Sequence, residues 1–80
     1  MLFNLLESKA EILKKLGCRI KAIRIKLNLS QSDLARICDK DRQNIHRLES
    51  GKINPSLYFL YEVAVALNIS IAELLDLEEI

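Results

Sequence analysis

Four side chains suited to capping a helix, Ser30, Asp41, Ser56 and Ser70, each stand just before a short apolar pattern of helical period. The stretches between these patterns are too short for anything but turns, so each helix must pack directly on its neighbours. Ser30 is followed three residues later by Asp33, a weaker form of the capping box, and Ser70-Ile71-Ala72-Glu73 is a full one. In the first pattern Leu34, Ile37 and Cys38 are expected to face inward, with the small Ala35 where another helix comes close. That helix should end near Cys38, and Asp39 is expected to take the left-handed conformation at the turn. Asp41 then caps a helix over 42–49, anchored by Ile45 and Leu48 and ended by Ser50-Gly51, where glycine accepts a positive φ. Asn54-Pro55-Ser56 opens the next helix, with Leu57, Leu60, Val63, Ala64 and Leu67 on its core face and Asn68 at its end. Ile71, Leu74 and Leu75 point the last helix inward.

Upstream, Ile12 or Leu13, Leu16, Ile20, Ile23 and Leu27 recur at helical steps through Lys26, with Gly17 a candidate interruption. The expected organisation is an all-α domain of about five helices over 13–80, preceded by an N-terminal helical extension over 1–12. The extension's Leu2, Phe3, Leu5 and Leu6 need cover, from their own domain or from a partner chain. Eighty residues, half of them apolar, bury limited surface, so each core position counts and a partner subunit would help.

Composition excludes several classes of function. Cys18 and Cys38 lack metal-ligand spacing, and with one histidine in the chain no metal or cofactor site is expected. Buried free thiols in a reducing cytoplasm are favoured over a disulfide. The apolar run before Glu7 is too short for a signal peptide or a membrane span, which points to a cytoplasmic protein with no membrane partner. No nucleophile or paired carboxylate stands at a useful distance from His46, so the chain is not read as an enzyme. The net charge of +1 hides a strong polarity: 13–56 carries +7 and 57–80 carries −5. The middle of the chain is suited to an anionic partner and the tail is not.

Helix, tight turn, helix is the arrangement that places a second helix in the major groove of DNA. Arg42, Gln43, Asn44 and Arg47 suit that task, since arginine pairs bidentately with guanine and glutamine or asparagine with adenine. Lys40 and Lys52 flank the helix and read as phosphate contacts, as do Gln31 at the start of the preceding helix and Asn54 and Ser56 on the other side. Each has a plainer reading: solubilising charge for Arg42 and Arg47, local hydrogen bonds for Gln43 and Asn44, ordinary turn and cap duty for Asn54 and Ser56. His46 faces solvent, phosphate or the first helix.

The segments "LSQSDLA", "NIHRLESGKINPSL" and "VALNISIAELL" resemble the Cro and phage-repressor type of helix-turn-helix domain, the XRE family. The resemblance spans Leu16 to about Leu75. It implies a compact five-helix bundle of the phage-repressor type whose members bind operator DNA, commonly as dimers. By the same resemblance Gln31 matches a phosphate-clamping glutamine, and Arg42, Gln43 and Arg47 match base-facing positions. Asn44 matches a position used for base or phosphate, and Cys38 and Ile45 match interhelical core positions. Arg24 matches an arginine that pairs with the glutamate matching Glu49. The chain departs from the family in carrying Asp39 where glycine is usual and Asp41 where serine or threonine is usual. Carboxylates there repel phosphate unless turned away, which implies modest affinity or a turn held back from the backbone.

Tyr58, Phe59, Tyr61 and Val65 fall off the core stripe of their helix and form a candidate dimer or partner surface. The expected function is a sequence-specific regulator of transcription, a repressor, acting on palindromic double-stranded DNA as a homodimer. The alternative is a protein-interaction module or antitoxin, whose main partner is a toxin or another protein.

Overall fold

Serines and an aspartate at the N-caps punctuate the chain as their spacing predicts. The computed structural model describes residues 7–79. The apolar leader Leu2, Phe3, Leu5 and Leu6 lies outside the described residues. Five α-helices follow in order: α1 Lys9–Lys26, α2 Gln31–Cys38, α3 Arg42–Glu49, α4 Leu57–Ala66 and α5 Ile71–Leu74, with a 3-10 turn at Leu77–Glu79. α1 begins upstream of residue 13, the expected start of the domain, because Ser8 and Glu11 form a capping box of their own. Ser30 with Asp33 and Ser70 with Glu73 form the two boxes that the sequence predicts. Asp41 accepts from the Gln43 amide, and Ser56 from the Phe59 amide.

The turns close in the left-handed region. Asp39 ends α2 at φ 57°, Gly51 follows α3 at φ 74°, and Asn28 and Asn68 follow α1 and α4 at φ 60° and 59°. A non-glycine residue there is mildly strained, and the Lys40 amide, which donates to the Ala35 carbonyl at 2.8 Å, holds Asp39 in place.

Leu16 and Ile20 of α1, Leu34 of α2, Ile45 and Leu48 of α3, Leu60 and Val63 of α4, Leu67 and Leu74 form one core. Three expected core residues stand outside it. Ile37 is half exposed because α2 packs through Leu34, Ala35 and Cys38, and the next position falls off that face. Leu57 is exposed as the first residue of α4, and Leu75 as the residue that ends the short α5. Cys38 is a buried thiol, pushed upward in pKa by that burial, whereas Cys18 is exposed on the outer face of α1.

Gly17 does not interrupt α1. It lets α1 lie against the end of α3: a Cβ at this position would fall 2.3 Å from the Glu49 carbonyl oxygen. Two turns later on the same face, Arg24 reaches Glu49 through two parallel hydrogen bonds, Nε to Oε2 at 2.6 Å and Nη2 to Oε1 at 2.9 Å. Its Nη1 donates to the Leu29 carbonyl, and both residues of the pair are buried. The hydrogen bonds to the Glu49 carboxylate raise the guanidinium's pKa. Between Gly17 and Arg24 in the chain, Arg19 donates to the Glu73 carbonyl and ties α5 down.

Gly17→Ala should lower stability by about 1–3 kcal/mol, since a methyl must displace backbone and not a flexible side chain. Arg24→Met should cost about 3 kcal/mol by leaving the Glu49 charge buried without its partner. Urea titrations of both variants check these values. The Asp33 carboxyl is held below its ordinary pKa, first by the Ser30 amide and then by the Ser30 hydroxyl. Its stabilising bonds are therefore fully present above the unfolded value near 3.8 and are lost as pH falls through the lower folded value. Asp33→Asn should flatten that part of the acid-unfolding curve, followed by circular dichroism.

Candidate nucleic-acid interface

The turn from α2 to α3 presents α3 with one face fixed and the other free. Ile45 and Leu48 are fully buried and Glu49 is held by Arg24. Arg42, Gln43, Asn44, His46 and Arg47 are all exposed. Gln43 and Arg47, four residues apart, lie one above the other along the middle of the exposed face. Asn44 falls toward the Leu48 side of the helix, and Arg42 and His46 toward the Glu49 side. The side chains of Arg42, Gln43, Asn44 and Arg47 bond to no other described residue. They are donors without internal duties on the outward face of a rigidly anchored helix.

The two carboxylates of the turn are placed differently. Asp41 spends one oxygen on the Gln43 amide at 3.2 Å. Asp39 is exposed at the end of α2.

The expected phosphate contacts do not form one set. Lys52 and Asn54 are exposed between α3 and α4, and Ser56 is exposed while its hydroxyl caps α4. Gln31 starts α2, half-buried, with Nε2 donating to Glu49 Oε1 at 3.0 Å. The Glu49 carboxylate thus accepts three hydrogen bonds, and Gln31 is positioned from the same hub as α3. Lys40 turns the other way. Its ammonium pairs with Glu62 at 2.9 Å and lies over the Phe59 ring at 5.4 Å from the centroid. The bond to Glu62 raises its pKa. Lys40 braces the turn on α4 because Phe59 and Glu62, one helical turn apart, offer it a ring and a carboxylate together.

On the surface of α4, Leu57, Tyr58, Tyr61 and Val65 are each at least half exposed, and the two tyrosine rings lie 6.0 Å apart. Ile37 of α2 extends this apolar patch. Phe59, expected in the patch, is partly buried and packs against the core.

Sequence reasoning missed Gly17 and the bond from Gln31 to Glu49. Gly17 had a signal: it precedes Arg24 by two turns and so shares the face that meets Glu49. The Gln31 bond had none, because it depends on how α2 and α3 cross. Among the described residues no cluster of side chains suits a metal ion, and no helix is long and apolar enough to cross a membrane.

Residues 20–74 match the helix-turn-helix family HTH_3. The chain is 39% identical over 61 residues to an uncharacterized HTH-type transcriptional regulator of Archaeoglobus fulgidus, covering 76% of this chain and 86% of that protein. Its structure is similar to that of the restriction-modification controller protein C.AhdI from Aeromonas hydrophila, with a TM-score of 0.76 and 37% identity over 78% of this chain and 94% of the other. A single-residue mutant of the restriction-modification controller protein C.Esp1396I is similar with a TM-score of 0.77 and 30% identity, over 92% and 95% of the two chains. The chain belongs to the helix-turn-helix family of DNA-binding transcriptional regulators, of the Cro and phage-repressor type, a family of regulators and not of enzymes.

Proposed function

We propose that this regulator is a repressor that reads double-stranded DNA by laying α3 in the major groove. The observation that carries the reading is the divided surface of α3, with Ile45, Leu48 and Glu49 locked in the fold and four polar side chains projecting together. Arg42, Gln43 and Arg47 read base edges, and Asn44 contacts a base or a phosphate at the rim of the groove. Gln31, Lys52, Asn54 and Ser56 hold the DNA backbone and set the register. Lys40 is outside this set, since Glu62 holds its charge.

A second copy of the chain completes the reading. One domain of this size reaches few phosphates, and a palindromic operator pairs two such domains about one helical turn apart. The exposed Leu57, Tyr58, Tyr61 and Val65 are the apolar surface suited to that contact. The segment 57–80 carries −5, which suits a protein contact and opposes one with DNA. The same patch is the surface a toxin would use if the chain were an antitoxin.

A salt series on an operator selected from random duplexes, beside a mixed duplex, tests the DNA reading. Affinity should fall steeply with salt as counterions are released. Arg42→Ala and Gln43→Ala should each cost about 1–3 kcal/mol on the operator and much less on mixed DNA. Wild-type protein that binds neither duplex at low salt would rule the reading out. For the dimer, sedimentation of the wild type should give twice the chain mass, and Tyr58→Glu with Tyr61→Glu should give a monomer. The monomer should bind the operator about a hundredfold more weakly or worse. A wild type that sediments as a monomer with and without operator would remove the second copy.

A further inference from the structure

Beside α3 lies a small open hollow lined by Lys21, Gln31, His46, Glu49 and Ser50. It draws on α1, α2 and α3 together. We infer that this hollow seats a phosphate of the DNA backbone, with Lys21 and His46 as contacts beyond those assigned above. The inference rests on the DNA-binding reading and adds two contacts to it.

The charges in the hollow are arranged for an anion. Glu49 is the acidic residue there, but it is buried and accepts two hydrogen bonds from Arg24 and one from Gln31. Its charge is spent inward. Lys21 is exposed and forms no ion pair with any described residue. Arg42 stands one turn before His46 on the same side of α3 and adds to the positive field. The Gln31 amide nitrogen carries two hydrogens and Glu49 takes one, so the other remains for an acceptor. Ser50 donates to the His46 and Arg47 carbonyls and is not a donor to the hollow.

His46 is exposed, and its ring bonds to no other described residue. The groups around it are Lys21 from α1, the neutral Gln31 from α2, and Arg42 and Glu49 of its own helix, with Arg24 behind Glu49. A phosphate placed among them favours the imidazolium over the imidazole, so binding takes up a proton. His46 is the chain's one histidine, which makes the effect readable.

The test measures affinity of the full-length protein for a selected operator and for a mixed duplex, across salt and from about pH 8 to about pH 6. The variants are Lys21→Gln, Lys21→Arg and His46→Gln, with thermal melts to establish folding. Lys21→Gln should reduce the slope of log affinity against log salt by about one and weaken both duplexes equally. Lys21→Arg should restore the slope. Wild-type affinity should rise as pH falls, and His46→Gln should abolish the rise. A wild-type salt slope in Lys21→Gln, or an unchanged pH profile in His46→Gln, on DNA that the wild type binds, would overturn the phosphate site alone. Wild-type protein that binds neither duplex at low salt would overturn the reading on which it rests.

Discussion

The Glu49 carboxylate is the constraint on which the arrangement depends. Three helices meet at it: α1 through Arg24, α2 through Gln31 and α3 through Glu49 itself. A buried carboxylate without partners would be expensive in a domain this small, and this one has three donors. Gly17 makes the meeting sterically possible, because the α3 backbone passes where any side chain on α1 would lie. The polar pair sets direction and the glycine sets distance. Between them the angle of α3 on the rest of the molecule is determined before DNA is present, so little ordering remains to be done on binding.

What the sequence made legible followed local rules. The caps at Ser30, Asp41, Ser56 and Ser70, the left-handed Asp39 and Gly51, and the span of α3 all depend on residues within one turn of each other. Those signals are written in neighbouring letters. The family resemblance added the pairing of Arg24 with Glu49, twenty-five residues apart, which no local rule supplies.

What was not legible depends on how helices cross. Lys40 was expected beside DNA from its position next to α3, yet a carboxylate and a ring on α4 hold it. Phe59 was expected on the surface for the same lack of information, since its neighbours on the helical wheel say nothing about the lysine above it. Ile37 and Leu57 were assigned to the core by helical spacing; Ile37 misses it by one position around α2, and Leu57 shares the core stripe of α4 but lies at the helix's open first position. Charge and hydropathy state what a residue tolerates, and the packing angle decides which of those places it occupies.

The division of α3 into two faces has a consequence for how such a protein changes. Ile45, Leu48 and Glu49 maintain the fold, and Arg42, Gln43, Asn44 and Arg47 make no side-chain bonds within it. Replacing an exposed side chain that touches nothing else commonly alters stability by less than about 0.5 kcal/mol. On the proposed reading, folding and DNA contact therefore rest on separate letters of one eight-residue helix. The exposed four are free to be exchanged among polar residues while the scaffold beneath them stays the same, so a lineage of such chains has room to acquire new binding sites without first regaining a fold.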